Sequence, residues 1–450
     1  MFVEKVRTEG LAHLSWVVGD GTEAAVIDPR RDVDVYQRIA QEHGCRITHV
    51  FETHRNEDLV SGAPLLAART GATVHHGPNP AEPIAYAETV REGHRFTFGG
   101  LTLRVLETPG HTDDSISLAL YDPAFATDTA FGVFTGDALF VGDVGRTDFY
   151  PDRAEEVAGL LFDSLDKLLA LGDQAVLYPA HGAGSVCGSG MADREVSTLG
   201  LERRHNARLL LETRDDFVAA KLAEHHEKPP YFAHMERLNT VGAEPVRDTP
   251  PAPLSAAAFS EQADGRIVDV REVPAFLGAH LAGSLSLPVG MIAAWAGWLL
   301  EPSETLVLVA SDGEEAAAAA TVLARIGFDR VAGYLAPGLP AWAAGGRAFE
   351  TIPAVDTETV RARLRGAAEG WTLLDVRGVE EVEAGRLAGS EHQFLGELPA
   401  CVGDLDQGRH YTVLCGSGAR ATVAASLLRR AGIERVDVYL GSMGAWKAAG

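Results

Sequence analysis

The sequence predicts an α/β protein of three domains. An α/β or α+β domain spans residues 1–245, and two tandem copies of a smaller α/β domain with a parallel sheet follow over 256–350 and 356–450. Three observations carry this. Short β-rich runs alternate with glycine-stopped helical stretches through the first half. A proline-rich segment then interrupts the chain. Beyond it, the sequence repeats itself at a domain-sized period, too long for a solenoid unit.

In chain order, AAVIDP (24–29), ITHVFETH (47–54) and LTLRVLETPGH (101–111) read as strands, and VDVYQRIAQEHG and APLLAARTG read as helices ended by glycine. Residues with chemical potential follow the strands, as expected for loops carried on a rigid sheet. One polar helix is expected over about 200–226, because Leu209, Leu210, Phe217, Val218 and Leu222 recur at helical spacing before Pro229-Pro230. PVRDTPPAPLS (245–255), with four prolines in eleven residues, reads as a semi-rigid spacer. In the repeat, Ile267-Val268-Asp269-Val270-Arg271 matches Leu373-Leu374-Asp375-Val376-Arg377, and His280 to Ser284 matches Arg386 to Ser390. Gly338 to Trp342 matches Ser442 to Trp446. Each copy reads strand, helix, strand, loop, helix, strand, helix, which predicts a parallel sheet with helices on both faces.

Composition excludes several classes. Across 450 residues, 46% are hydrophobic and 23% charged, ordinary globular values that argue against wholesale disorder. A formal net charge of -24 repels phosphate backbones, so no nucleic-acid partner is expected. The first residues lack a signal-peptide pattern. The apolar stretch from Met291 to Leu300 falls far short of the roughly 20 residues that cross a bilayer. Four scattered cysteines make no disulfide framework. The expectation is a cytoplasmic homo-oligomer with free thiols and no membrane contact.

Four segments each follow a strand: Thr53-His54-Arg55-Asn56-Glu57-Asp58-Leu59, Pro109-Gly110-His111-Thr112, Thr135-Gly136-Asp137 and Pro179-Ala180-His181-Gly182. Any one of the 16 histidines taken alone is better explained as a surface or satisfied core residue; the ordered set is not. The set resembles the metallo-β-lactamase superfamily pattern HxHxDH, H, D, H, which implies an αββα sandwich. Here Asn56 and Leu59 stand where that pattern has histidines. One metal position keeps His54, His111 and Asp137, and the other keeps Asp58, His181 and a shared Asp137. Two histidines and one carboxylate form the facial triad of non-haem Fe(II) oxygenases. Gly145-Arg146-Thr147-Asp148-Phe149 resembles the corresponding segment of persulfide dioxygenases, the mono-iron branch of the superfamily. That resemblance implies one Fe(II) per chain on His54, His111 and Asp137. Asp58, His181 and Asn56 then stand around the ligands or serve as alternative metal donors.

Arg146 is either a surface arginine or a guanidinium that holds an anionic thiol substrate. Cys187, polar-flanked and bordered by glycine, is expected to be exposed, and is either idle or sulfur-handling. Cys45 reads as packing, and His75-His76 as structural.

In the last domain, Tyr411-Thr412-Val413-Leu414 reads as a buried strand, followed by Cys415-Gly416-Ser417-Gly418-Ala419-Arg420 and a helix. Loop N–H groups, a helix N-terminus and Arg420 favour negative charge on that sulfur. The loop resembles the rhodanese CxxGxR loop, in which the cysteine carries sulfane sulfur as a persulfide. The middle copy reads Ala310-Ser311-Asp312-Gly313-Glu314-Glu315, without the nucleophile and with reversed charge, and is expected to be inactive. The domain order resembles bacterial persulfide dioxygenase–sulfurtransferase fusions. That implies oxidation of a glutathione, coenzyme A or similar persulfide by O2 to thiol and sulfite, then sulfur transfer to sulfite giving thiosulfate. The rivals are a Zn-dependent thioester or lactone hydrolase fused to rhodanese domains, and a persulfide sensor or sulfur carrier using Cys415 alone.

Overall fold

The structure is a computed structural model that describes all residues except 186, 189, 247–248, 263–264, 367–368 and 450. It divides into two compact units, Met1–Val246 with Ala324–Gly327, and Arg247–Leu323 with Phe328–Gly450. Of the spacer expected over 245–255, residues 247 and 248 lie outside the described residues.

The first unit holds two sheets. One runs in the order Phe2–Thr8, His13–Asp20, Glu23–Ile27, Arg46–Glu52, Thr73–His76, Glu88–Thr89, antiparallel over the first three strands and parallel beyond. The other runs Val176–Pro179, Gly132–Gly136, Ile116–Tyr121, Leu101–Glu107, Arg95–Phe98 and is antiparallel except at its first pair. Alternate residues of both sheets meet in one core, where Trp16, Ile27 and Phe51 pack with Leu103, Leu118 and Phe134. Helix Asp34–Glu42 buries Tyr36 and Ala40 on the outer face of the first sheet. Helix Ala154–Leu169 covers the outer face of the second with Leu161, Leu165 and Leu168. The result is the expected αββα sandwich.

The single helix expected over about 200–226 is two helices, Leu199–His205 and Arg214–Leu222. Asn206 is extended at the break, and its buried amide donates to the Asp143 carbonyl and to Glu202. Thr213 accepts from the Asp216 N–H to start the second helix. The leucine spacing across the break therefore reflected turn packing, with Leu209 against the core and Leu210 exposed.

The second unit contains the two copies. Each has a five-stranded all-parallel sheet, ordered Pro253–Leu254, Val331–Leu335, Leu306–Val309, Arg266–Asp269, Leu285–Ser286 and Ala354–Val355, Val436–Tyr439, His410–Leu414, Trp371–Asp375, Ser390–His392. The repeated IVDVR and LLDVR motifs do the same job twice. Arg271 pairs bidentately with Asp269 at 2.8 and 2.6 Å, and Arg377 with Asp375 at 2.9 and 2.7 Å. Each arginine also donates to a carbonyl eight residues on, Ala279 or Gly385, tying down the loop after the strand. Helix Ala419–Arg430 is buried at every position from Ala421 to Leu428, because the middle copy covers what would otherwise be its solvent face. There Ser426 Oγ accepts the Ser286 N–H at 3.1 Å.

Among the described residues, no helix is long and apolar enough to cross a membrane.

Candidate functional site

Four strand ends deliver the metal-binding side chains of the first unit. His54 lies two residues beyond strand Arg46–Glu52, His111 beyond Leu101–Glu107, Asp137 directly after Gly132–Gly136, and His181 beyond Val176–Pro179. Gly136 has φ +53, and a Cβ there would lie 2.6 Å from Thr53 Oγ1, so only glycine lets the two loops touch.

His54, His111 and Asp137 are brought together, each with a ligand atom within 4.8 Å of the others and all buried. Asp137 Oδ2 lies 3.4 Å from His111 Nε2 and 3.9 Å from His54 Nε2. Both rings are held in one tautomer. Thr53 Oγ1 donates to Asp28 Oδ2 at 2.9 Å and accepts from His54 Nδ1, also at 2.9 Å. His111 Nδ1 donates to the Arg146 carbonyl at 2.9 Å. Both Nε2 lone pairs are thus left for another partner. His111 Nε2 is buried with no hydrogen bond among the described residues, and Asn56 Oδ1 is likewise buried and unsatisfied. A buried orphan imidazole nitrogen 3.4 Å from a carboxylate fits a metal. Burial holds His54 down to about 4, so its imidazole is neutral and a competent donor. Burial alone would raise Asp137, but the His181, His54 and His111 imidazoles hold it well below the usual carboxylate range.

Asp58, His181 and Cys187 form an adjacent buried group. His181 Nδ1 lies 2.7 and 3.0 Å from the Asp137 oxygens, and its Nε2 lies 3.0 Å from Asp58 Oδ2. Cys187 was expected to be exposed. Instead it is 2% exposed, with its thiol pushed well above the usual range by burial and then by Asp137 and Asp58. Leu59 is also buried. Arg146 is not at the surface. Its guanidinium is fully buried, pairs bidentately with Asp148 at 2.6 Å through both bonds and lies over Phe149. The residue touches the site through its carbonyl on His111.

Sequence reasoning missed two residues here. Glu57 is buried with Oε2 3.8 Å from His111 Nε2 and 4.0 Å from His54 Nε2, ion-pair rather than hydrogen-bond distances. Burial raises its carboxyl, opposed by His111. Phe149 stands edge-on to His111, ring centroids 5.2 Å apart. Glu57 carries no signal, since it occupies a variable place in the motif. Phe149 was within GRTDF but was given no role.

In the last domain, Cys415 is buried at the end of strand His410–Leu414. Its Sγ accepts the Gly418 N–H at 3.1 Å, and Gly418 has φ +103. Its own N–H donates to Ser442 Oγ at 3.0 Å. Arg420 donates to both oxygens of Glu381, at 2.5 and 2.8 Å, and lies alongside the loop, where a Cβ on Gly416 would be 3.3 Å from Nη2. Glu381 and Ser442 were not foreseen as parts of this site. In the middle loop, Glu315 Oε2 accepts the Ser311 N–H at 2.6 Å, so a carboxylate of the chain's own sits on the loop amide.

Comparison with known proteins agrees with this architecture. A model of the metallo-β-lactamase superfamily matches residues 8–181, and a rhodanese-like domain model matches 253–345 and 357–449. The chain is 34% identical over 145 residues to a hydroxyacylglutathione hydrolase of Methylobacterium sp. (strain 4-46), covering 32% of this chain and 52% of that protein. It is 30% identical over 213 residues to the mitochondrial persulfide dioxygenase ETHE1 of Bos taurus, covering 45% of this chain and 74% of that one. The chain thus spans about half the length of the hydrolases it matches. Among solved structures, a metallo-β-lactamase from Staphylococcus aureus subsp. aureus COL aligns with a TM-score of 0.68 at 29% identity, over 74% of this chain and 98% of that one.

Proposed function

The chain belongs to the metallo-β-lactamase superfamily and carries two rhodanese-like domains, and from that premise we propose that it is a persulfide dioxygenase joined to a sulfurtransferase. In the first reaction a glutathione, coenzyme A or similar persulfide, O2 and water give the thiol and sulfite. In the second, sulfane sulfur carried on Cys415 passes to sulfite and gives thiosulfate. The observation that carries the reading is the two-histidine, one-carboxylate set with both Nε2 lone pairs freed by fixed tautomers.

His54, His111 and Asp137 would hold one Fe(II), which supplies redox access to O2 and leaves positions for substrate. The chain's own groups do the rest. The Asp28–Thr53 relay and the Arg146 carbonyl keep the imidazoles aimed. Phe149 excludes water beside His111. At the second site the Cys415 sulfur attacks the outer sulfur of a persulfide. The S–S bond breaks, and the thiol's sulfur leaves with the electron pair. Sulfite then attacks the outer sulfur now on Cys415, which returns as thiolate. The Gly418 N–H and Arg420 stabilise the negative sulfur in both steps.

The likeness to hydroxyacylglutathione hydrolases favours a second reading, thioester hydrolysis on zinc. Against it stands Leu59, which has no donor atom where the hydrolase pattern has histidine. The test is anaerobic iron loading followed by O2 uptake with glutathione persulfide, beside a thioester hydrolysis assay. His111→Ala is expected to lose iron binding and at least a hundredfold of O2 uptake. Thioester turnover without O2 uptake in the parent protein, or undiminished uptake in the variant, would overturn the dioxygenase reading.

A further inference from the structure

The loop over 53–62, between strand Arg46–Glu52 and helix Ala63–Thr70, carries His54. It has Asn56 and Leu59 where the superfamily pattern has histidines, so two imidazole tethers to an ion are missing. The backbone at those same two places is held by a single side chain. Asn239, in helix Phe232–Val241, donates through Nδ2 to the Asn56 carbonyl and to the Leu59 carbonyl, each at 2.7 Å. Its Oδ1 accepts the Ser61 N–H at 2.9 Å. One buried amide thus spends both N–H donors and its oxygen on the loop. Tyr231, just before the helix, donates from its hydroxyl to the Asp58 carbonyl at 3.0 Å. We propose that Asn239 is a positioning residue of the metal site, which fixes this loop, and with it His54, before any ion binds.

The helix gives no reason of its own for an asparagine there. Asparagine is a weak helix former, and a buried amide without partners is costly. The helix is itself well seated. Phe232 and Met235 are fully buried, and the Thr240 carbonyl accepts the Ala85 N–H at 2.9 Å. The Tyr86 hydroxyl lies 2.9 Å from the Asn239 carbonyl and 3.0 Å from Glu52 Oε1, at the end of the strand that leads into the loop. On the other side of His54, Asp28 accepts both the N–H and the hydroxyl of Thr53, at 2.7 and 2.9 Å. The stretch from Thr53 to Asn56 is therefore pinned at both ends, and the ligand lies between the pins. A ligand held to within about 0.5 Å of its working place loses little on binding an ion. The helix lies beyond 8–181, the stretch that the superfamily model matches.

The inference rests on His54, His111 and Asp137 holding an ion, whichever reaction follows, and half of its test needs no ion. Hydrogen–deuterium exchange of the metal-free, full-length protein is followed on peptides covering 53–62, and anaerobic Fe(II) titration gives the metal affinity. Asn239→Ala, which suits a helix, is expected to speed exchange of those peptides about tenfold and to weaken Fe(II) binding about tenfold or more. Asn239→Asp keeps the shape and the Ser61 acceptor but sets a carboxylate against two carbonyls, and is expected to weaken Fe(II) binding as much. Tyr231→Phe removes one hydroxyl and is expected to shift both readouts the same way by less, which guards against variants that fail to fold. Leu168→Ala, in the core outside the second sheet, reports general destabilisation and is expected to leave both readouts within about threefold. Parental exchange and parental Fe(II) affinity in the Asn239 variants, or equal losses in Leu168→Ala, overturn the proposal. A parent that binds no Fe(II) yet shows the exchange difference sinks the metal reading and leaves the hold of Asn239 on the loop standing.

Discussion

His54 and His111 reach one orientation by different means, a Thr–Asp relay and a backbone carbonyl. Two other buried imidazoles, His13 and His75, bear on the acid limit of the fold. Burial, helped by His181, lowers His13 to about 3, and burial lowers His75 to about 4. Both are neutral in the folded chain, while in the unfolded chain they take up a proton near 6.5. Stability should therefore hold above pH 6.5 and be lost as pH falls toward 4 and 3, by on the order of 5 kcal/mol at the limit for His13. Urea unfolding of the metal-free protein from pH 7 to 4 measures this. His13→Gln should flatten the slope, and an unchanged slope would assign the acid loss elsewhere. His54, His111 and Asp137 were legible in the sequence because each stands just past a strand, the latter two beside a glycine, and the three recur in the order of a known motif set. The environment of Cys187 was not legible: its polar, glycine-rich neighbours suggest solvent, whereas Cys187 itself is buried beside Asp58 and His181.

Among elements, the strand–loop–helix around Cys415 was readable because buried strand, glycine loop and helix follow without interruption. The helix expected over 200–226 misled because a turn mimicked its period. The two copies also separate framework from chemistry. Asp269–Arg271 and Asp375–Arg377 persist as the same bidentate pair. The residues around the reactive loop change together: Cys415, Arg420, Glu381 and Ser442 correspond to Ala310, Glu315, Ala275 and Gly338. Ser442 holds φ +48 where its counterpart is glycine, a strained backbone kept with a hydroxyl that accepts the Cys415 N–H. Glu381 is half-exposed, so its pair with Arg420 is partly screened. Glu381→Gln should lower thiocyanate formation from thiosulfate and cyanide about tenfold without unfolding the domain. Parental rates would show that Arg420 needs no carboxylate to stay in place.

At the scale of the molecule, the repeat and the metal motifs were enough to read three domains, because each copy carries its own strand–helix pattern. Association of the two copies was not legible, since the Ser286 N–H to Ser426 Oγ bond joins residues with no distinguishing motif. Trp298 stands edge-on to Phe394 in the same unit, centroids 5.4 Å apart, and Arg429 pairs with Glu350 at 3.1 Å. The middle copy thus earns its place as a wall for the last. Because His54, His111 and Asp137 lie in a different unit from Cys415, the proposed function predicts that Cys415→Ser leaves O2 uptake within about twofold of the parent. The product should shift from thiosulfate to sulfite, since a serine hydroxyl carries no sulfane sulfur. Product analysis under air with glutathione persulfide decides it, and thiosulfate at the parental rate would remove Cys415 as carrier. The Glu315 carboxylate on the Ser311 N–H has a consequence for re-engineering. A lone Ala310→Cys substitution would set a thiol beside an amide already taken and a negative charge that disfavours its ionisation. A reactive middle loop would therefore take at least two substitutions, one supplying a thiol at Ala310 and one removing the Glu315 carboxylate.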